Sequence, residues 1–199
     1  MKNWMTGLRV AVVTLILTGG VYPLVVTGLA QGLFPGLAQG SLVKDLKGRV
    51  VGSALIGQGN ARAEYFQGRA SAAGDKGYDG LSSGGSNLGT TSKKLKERVE
   101  ADVVKWEAQN KGAEGSVPQE LVTASASGLD PQISPAAALW QAPRVAAARG
   151  VGVERVKAVV EANVEGRELG FLGEPRVNVL QLNLAMDRQF GTQNRPEGE

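Results

Sequence analysis

From Val10 to Val43 the sequence contains no charged residue, and its first part, Val10 to Ala30, reads VAVVTLILTGGVYPLVVTGLA. About 21 apolar residues match the roughly 30 Å hydrocarbon layer of a bilayer, so the stretch is expected to span a membrane as a helix. Gly19, Gly20, Pro23 and Gly28 would weaken a soluble helix. In lipid such residues are tolerated, and their small size lets another helix approach closely, so the span is expected to pack against partners. A secretory signal peptide is the competing reading, because Lys2 and Arg9 precede the apolar run and Gly28-Leu29-Ala30 resembles a cleavage site. The run exceeds the usual apolar core of such peptides and is interrupted at Tyr22-Pro23, which favours a retained anchor.

Cations flank the span on both sides: Lys2 and Arg9 before it, Lys44, Lys47 and Arg49 after it. Arg9 abuts the span whereas Gln31 to Val43 separates it from Lys44, so the N-terminus is expected in the cytoplasm and the remainder outside. The organisation that follows is a stub over 1–9, a transmembrane helix over 10–31 and a linker over 32–48. A globular domain over 49–190 contains a Gly/Ser-rich loop at 71–92, and a loose polar tail covers 191–199.

With no Cys and no His, the chain has no disulfide, thiol nucleophile, zinc site of thiolate or imidazole type, or Ser-His-Asp arrangement. Its formal charge of +3 is scattered, without the basic run that marks a nucleic-acid binder.

Arg49 to Gln58 reads as a short hairpin turning at Gly52-Ser53. Six glycines between Ser71 and Ser92 predict a long loop. Leu95, Val99, Val103 and Trp106 then recur at helical spacing behind Ser92 as N-cap. Glu120 to Gly128 reads as a strand before an Asp130-Pro131 turn. Ser134-Pro135 opens a second helix that closes at Arg149-Gly150, with a kink expected at Pro143. Val153, Val156, Val160 and Val164 mark a third helix, and Val177 to Leu184 alternates as a strand. The fold class is therefore α+β: one N-terminal transmembrane helix, then a single mixed domain with a small sheet and about three helices.

Ser83, Gly84, Gly85, Ser86 and Asn87 offer backbone N–H groups and hydroxyls able to wrap an anion, and equally suit a surface loop needing positive φ. Gln141 lies two turns from Ser134, on the same helix face, where its amide could meet a ligand attracted to the helix start; a plain cap and a surface glutamine fit as well. Asp75, Asp79, Glu100, Asp102 and Asp130 could supply a carboxylate pair for a tethered hydrolase, although nothing in the sequence singles out two of them. No phosphate-binding G-x-x-x-x-G-K-[ST] loop is present, which argues against independent ATP hydrolysis.

Seven ordered blocks carry a family resemblance: Gly52-Ser-Ala-Leu-Ile-Gly-Gln58, Tyr65-Phe66, Ser83-Gly-Gly-Ser-Asn-Leu-Gly89, Leu121-Val-Thr-Ala-Ser-Ala-Ser-Gly-Leu-Asp-Pro131, Ile133-Ser-Pro-Ala-Ala137, Arg144-Val-Ala-Ala-Ala-Arg149 and Leu172-Gly-Glu-Pro-Arg-Val-Asn-Val-Leu180. Together they resemble the C subunit of the Kdp potassium-transporting ATPase over nearly the whole chain. Departures are Arg69-Ala-Ser71, where such subunits often have Arg-Pro-Ser, Gly89-Thr-Thr-Ser92 in place of Gly-Pro-Thr-Asn, and Gln132 in place of a His.

The resemblance implies an accessory, non-catalytic subunit in the bacterial inner membrane. Its implied partners are a channel-like A subunit that takes up potassium, a P-type B subunit that hydrolyses ATP, a small F peptide and membrane lipid, with no nucleic acid. It implies no metal and no tightly bound cofactor, ATP being met through the complex. As a catalytic chaperone the subunit would raise the B subunit's affinity for ATP, with the loop at Ser83 to Asn87 or Gln141 approaching nucleotide. ATP is cytoplasmic, so an external domain would instead cover the mouth through which potassium reaches the A subunit.

Overall fold

The computed structural model describes residues 2–192, and the chain divides into two compact units, residues 1–42 and 43–199. In the first unit, helix α1 (Lys2–Ile16) passes through a π-helical turn, Leu17–Val21, into α2 (Tyr22–Leu33), and a short α3 (Pro35–Ala38) follows. Asn3–Leu33 is thus one continuous helix, long and apolar enough to cross a membrane, with none of its apolar window buried. The π turn falls on Leu-Thr-Gly-Gly-Val, directly before Tyr22-Pro23, and the missing N–H and ring of Pro23 disfavour a regular α ladder.

A two-stranded sheet follows, made of β1 (Leu42–Lys44) and β2 (Val50–Ser53). Here the hairpin expected around Gly52-Ser53 is corrected. The turn lies at Asp45–Arg49, where the Asp45 carboxylate accepts from the Lys47 and Arg49 N–H groups and Gly48 takes φ +78°. The stretch 32–48 thus contains α3, β1 and most of this turn.

Helix α4 (Lys93–Gln109) starts where its periodicity places it, with the Ser92 hydroxyl accepting from Leu95 N–H. A strand over Glu120 to Gly128 does not form. Instead α5 (Gln119–Val122) makes one turn, the Thr123 hydroxyl bonds back to Gln119 O, and the serines beyond it form turns. Hydroxyl side chains that bond to their own backbone compete with strand pairing.

After β3 (Gln132–Ile133), α6 (Pro135–Arg149) runs continuously through Pro143 and ends at Gly150 with φ +65°. Helix α7 (Val153–Ala162) stops before Val164, which belongs to β4 (Val164–Glu165). The last expected strand is also corrected: only β5 (Arg176–Asn178) is extended, and α8 (Val179–Phe190) follows. Asn178 causes the switch, its carboxamide oxygen accepting from Gln181 N–H as an N-cap. The expected tail falls mainly on residues 193–199, outside the described residues.

The second sheet has the order β3-β5-β4, all antiparallel, with Val177 opposite Ile133 on one side and Val164 on the other. Its buried residues join those of α4 to α8 in one core that includes Phe66, Ile133, Val156, Val177, Leu182 and Met186. Trp106 and Trp140 meet edge to face at 6.1 Å, and Trp106 Nε1 donates to Leu121 O at 3.2 Å. That bond satisfies the indole's only polar atom within the core.

Candidate functional site

A dense polar cluster in the folded unit surrounds the segment Arg62–Gln67, which lacks regular secondary structure. Phe66 is buried and most of its neighbours are half-buried, so the segment must find partners for its backbone N–H and C=O groups. Two carboxamides supply them. Asn183 of α8 accepts from Phe66 N–H at 2.7 Å and donates to Phe66 O at 2.9 Å. Gln141 of α6 accepts from Gln67 N–H at 2.9 Å and donates to Gln67 O at 3.0 Å. Each amide thus stands in for a neighbouring β-strand, and Phe66 between them is fully buried.

Two arginines of α6 extend the clip. Arg144 donates to Ala63 O at 2.6 Å, Tyr65 O at 3.0 Å, Asn110 Oδ1 at 2.9 Å and Gln141 Oε1 at 2.8 Å. Burial lowers its pKa to about 10, opposed by the charge of Glu64. Arg149 donates to Glu64 O and to Asp187 Oδ1, both at 2.8 Å. The Tyr65 hydroxyl donates to the other Asp187 oxygen at 3.0 Å. Burial, then this hydrogen bond, raises the Tyr65 pKa.

Gln141 is therefore wholly buried, with both ends of its amide engaged. The start of α6, read from sequence as a place for an anion, already holds one: the Glu120 carboxylate accepts from Ser134 N–H at 3.1 and 3.2 Å and lies against the Ser134 hydroxyl. A carboxylate there complements the positive end of the helix.

The Gly/Ser loop has no regular structure, yet its middle is zipped to residues 125–128. Gly84 N–H and the Ser83 hydroxyl both donate to Ser127 O, at 2.8 and 3.0 Å. A side chain on Gly85 would press on Ala126 O at 3.0 Å, and one on Gly128 would collide with Gly84 O at 2.6 Å. Ser86 is half-buried and Asn87, exposed, takes φ +50°. Ser71 anchors the loop's first half, donating to Gly128 O at 2.6 Å and accepting from Tyr78 N–H at 2.7 Å. Residues 83–87 and Gln141 share no hydrogen-bond partner, so the structure builds two separate features from them.

Of the candidate acids, Asp130 pairs with Arg69 at 3.0 Å, Glu100 with Lys96 at 3.8 Å, and Asp79 accepts from Leu81 N–H. Asp75 is exposed and Asp102 half-buried. An open groove of about 1390 Å³ is lined by Lys47, Arg49, Arg62, Tyr65, Tyr78 and Asp187 among others, but by neither Gln141 nor residues 83–87.

These features define a class: a chain with, among the described residues, one candidate membrane span and one α+β unit whose buried polar groups largely hold its own irregular segments in place. The family model for the K+-transporting ATPase c chain, KdpC, matches residues 4–188. Among curated relatives, the potassium-transporting ATPase KdpC subunit of Myxococcus xanthus is 66% identical over 190 residues, covering 96% of this chain and 90% of that one. The KdpC subunit of Nitratidesulfovibrio vulgaris is 53% identical over 94% of this chain and 95% of its own. That of Caulobacter vibrioides is 53% identical over 88% and 87%. The chain belongs to the KdpC family.

Proposed function

We propose that this chain is an accessory subunit of an ATP-driven potassium-transporting complex, anchored by Asn3–Leu33 and contributing its folded unit as a structural part. One observation carries the reading: the family match runs over residues 4–188 and takes in both the apolar helix and the folded unit. In this reading its partners are a channel-like A subunit, an ATP-hydrolysing P-type B subunit and a small F peptide in the inner membrane. The folded unit lies outside, over the mouth through which potassium enters the A subunit. Support for that side comes from Arg9 abutting the span while the next cation after it is Lys44.

The clip supports a structural role. Gln141, Asn183, Arg144 and Arg149 each bind the chain's own backbone, so their chemistry is used for shape. Isolation of the assembly through a tag on this chain tests the reading. Potassium-stimulated ATP hydrolysis should accompany the tag, and a tag recovered without any ATPase would refute it.

A second reading, in which the chain raises the B subunit's affinity for ATP, draws on residues 85–87, where Gly85 and Ser86 are half-buried and Asn87 is exposed with positive φ. Protection of that loop by ATP from hydrogen exchange would favour it, and unchanged exchange at saturating ATP would remove it.

A further inference from the structure

Strands β4 and β5 pair at Glu165 and Arg176 and form the stem of a hairpin whose tip, residues 166–174, is exposed. The stem is closed several times over. Glu168 and Leu172 exchange N–H to C=O bonds in both directions at 2.9 Å. Arg176 pairs with Glu165 at 2.9 Å and with Glu168 at 2.8 Å, and Arg167 pairs with Glu174 at 2.7 Å.

On this braced frame stand Leu169, 83% exposed, Phe171, 68% exposed, and Leu172, 49% exposed. Among the described residues of the folded unit, Phe171 is the only aromatic side chain in the exposed class. Leu169 also takes φ +53°, a left-handed conformation that suits Gly or Asn and penalises a leucine. Neither the exposure nor the backbone strain stabilises the chain's own fold, and an ordered apolar cluster held in water is the mark of an interaction site.

The charges around the tip identify the kind of partner. Three glutamates stand against two arginines, and all five are engaged in the ion pairs above. No free cation remains to meet anionic lipid headgroups, and residues 165–176 contain no Trp, Tyr or Lys to sit in a membrane interface. A complementary surface is an apolar pocket with a neutral or basic rim, which is the chemistry of a protein.

We propose that the β4–β5 hairpin is a docking finger whose tip, Leu169, Phe171 and Leu172, inserts into an apolar pocket on a larger subunit of the transport assembly. The proposal rests on the reading of this chain as a subunit, and the experiment separates the two. The tagged full-length chain is co-expressed with the assembly, with benzoylphenylalanine at position 171, and irradiated in membranes. In parallel, Phe171→Ala and Leu169→Asn chains are tested for retention in the isolated complex and for thermal stability.

The expected result is a cross-link to a larger subunit and about tenfold weaker retention of Phe171→Ala, the loss typical of an aromatic anchor. Leu169→Asn should also be retained less well while its melting temperature holds or rises, because Asn accepts the left-handed backbone; a merely structural leucine would not behave so. If the wild-type chain stays in the complex but the probe labels only lipid or a second copy, or both variants are retained like the wild type, the finger is refuted and the subunit reading stands. A wild-type chain that associates with no other subunit refutes both.

Discussion

The Arg149 guanidinium lies 2.8 Å from the Asp187 carboxylate, joining the last turn of α6 to the last turn of α8 with the arginine side chain fully shielded from water. The same carboxylate accepts from the Tyr65 hydroxyl, so one ion pair also fixes the segment threaded between the two helices.

Removing one partner of such a pair leaves a buried charge without compensation. Asp187→Ala should therefore destabilise the protein by about 3 kcal/mol in chemical denaturation, and an Arg149→Met/Asp187→Leu double variant should recover part of that loss. Recovery should be incomplete, because Arg149 also donates to Glu64 O and Gly191 O.

Alkaline pH should weaken the fold. Burial raises the pKa values of Tyr65 and Tyr78 above the ordinary 10.0. A group raised on folding holds its proton longer in the native state than in the unfolded chain. Its contribution is complete below pH 10 and declines as pH climbs through the folded-state value. Denaturation midpoints measured upward from pH 9 should fall, and Tyr65→Phe together with Tyr78→Phe should flatten the decline.

Gln141 provides a test of what its amide is for. Gln141→Ala should cost about 1–3 kcal/mol in thermal or chemical unfolding, since it orphans the half-buried N–H and C=O of Gln67. A nucleotide-contact role alone would leave stability unchanged while altering ATP dependence.

Sequence pattern revealed α4 and α6 because both carry local signals: the Leu95, Val99, Val103 and Trp106 stripe behind Ser92, and Ser134-Pro135 ahead of Gly150. Val177 to Leu184 misled because its first residues alternate as a strand does, whereas Val179, Leu182 and Met186 bury one helical face once Asn178 caps the turn. The apolar helix was legible from length and composition alone, but its π turn was not. The clip was invisible for a different reason: Gln141 meets Gln67 across 74 residues and Asn183 meets Phe66 across 117, and no local pattern encodes pairings that distant. Arg149 is legible in sequence only as part of the Arg149-Gly150 helix end.

Glu120 should behave as an internal anion at the start of α6. Glu120→Ala should lower stability by about 1–2 kcal/mol, the range for losing a cap partner and a favourable charge at a helix N-terminus. Phosphate or sulfate should then raise the melting temperature of the variant more than that of the wild type.

Leu81 is 98% exposed, and the chain has no cysteine, so Leu81→Cys gives a single probe in the Gly/Ser loop. With the folded unit outside, an impermeant maleimide should label it in intact spheroplasts before lysis. Labelling only after the membrane is opened would reverse the orientation and bring the loop within reach of cytoplasmic ATP.

The most direct measurement is potassium-stimulated ATP hydrolysis by the transport assembly isolated from membranes with and without this chain. Robust stimulation is expected when the chain is present, loss of it when the chain is missing, and no hydrolysis by the chain alone. Unchanged stimulation in the chain's absence would contradict the proposed subunit role.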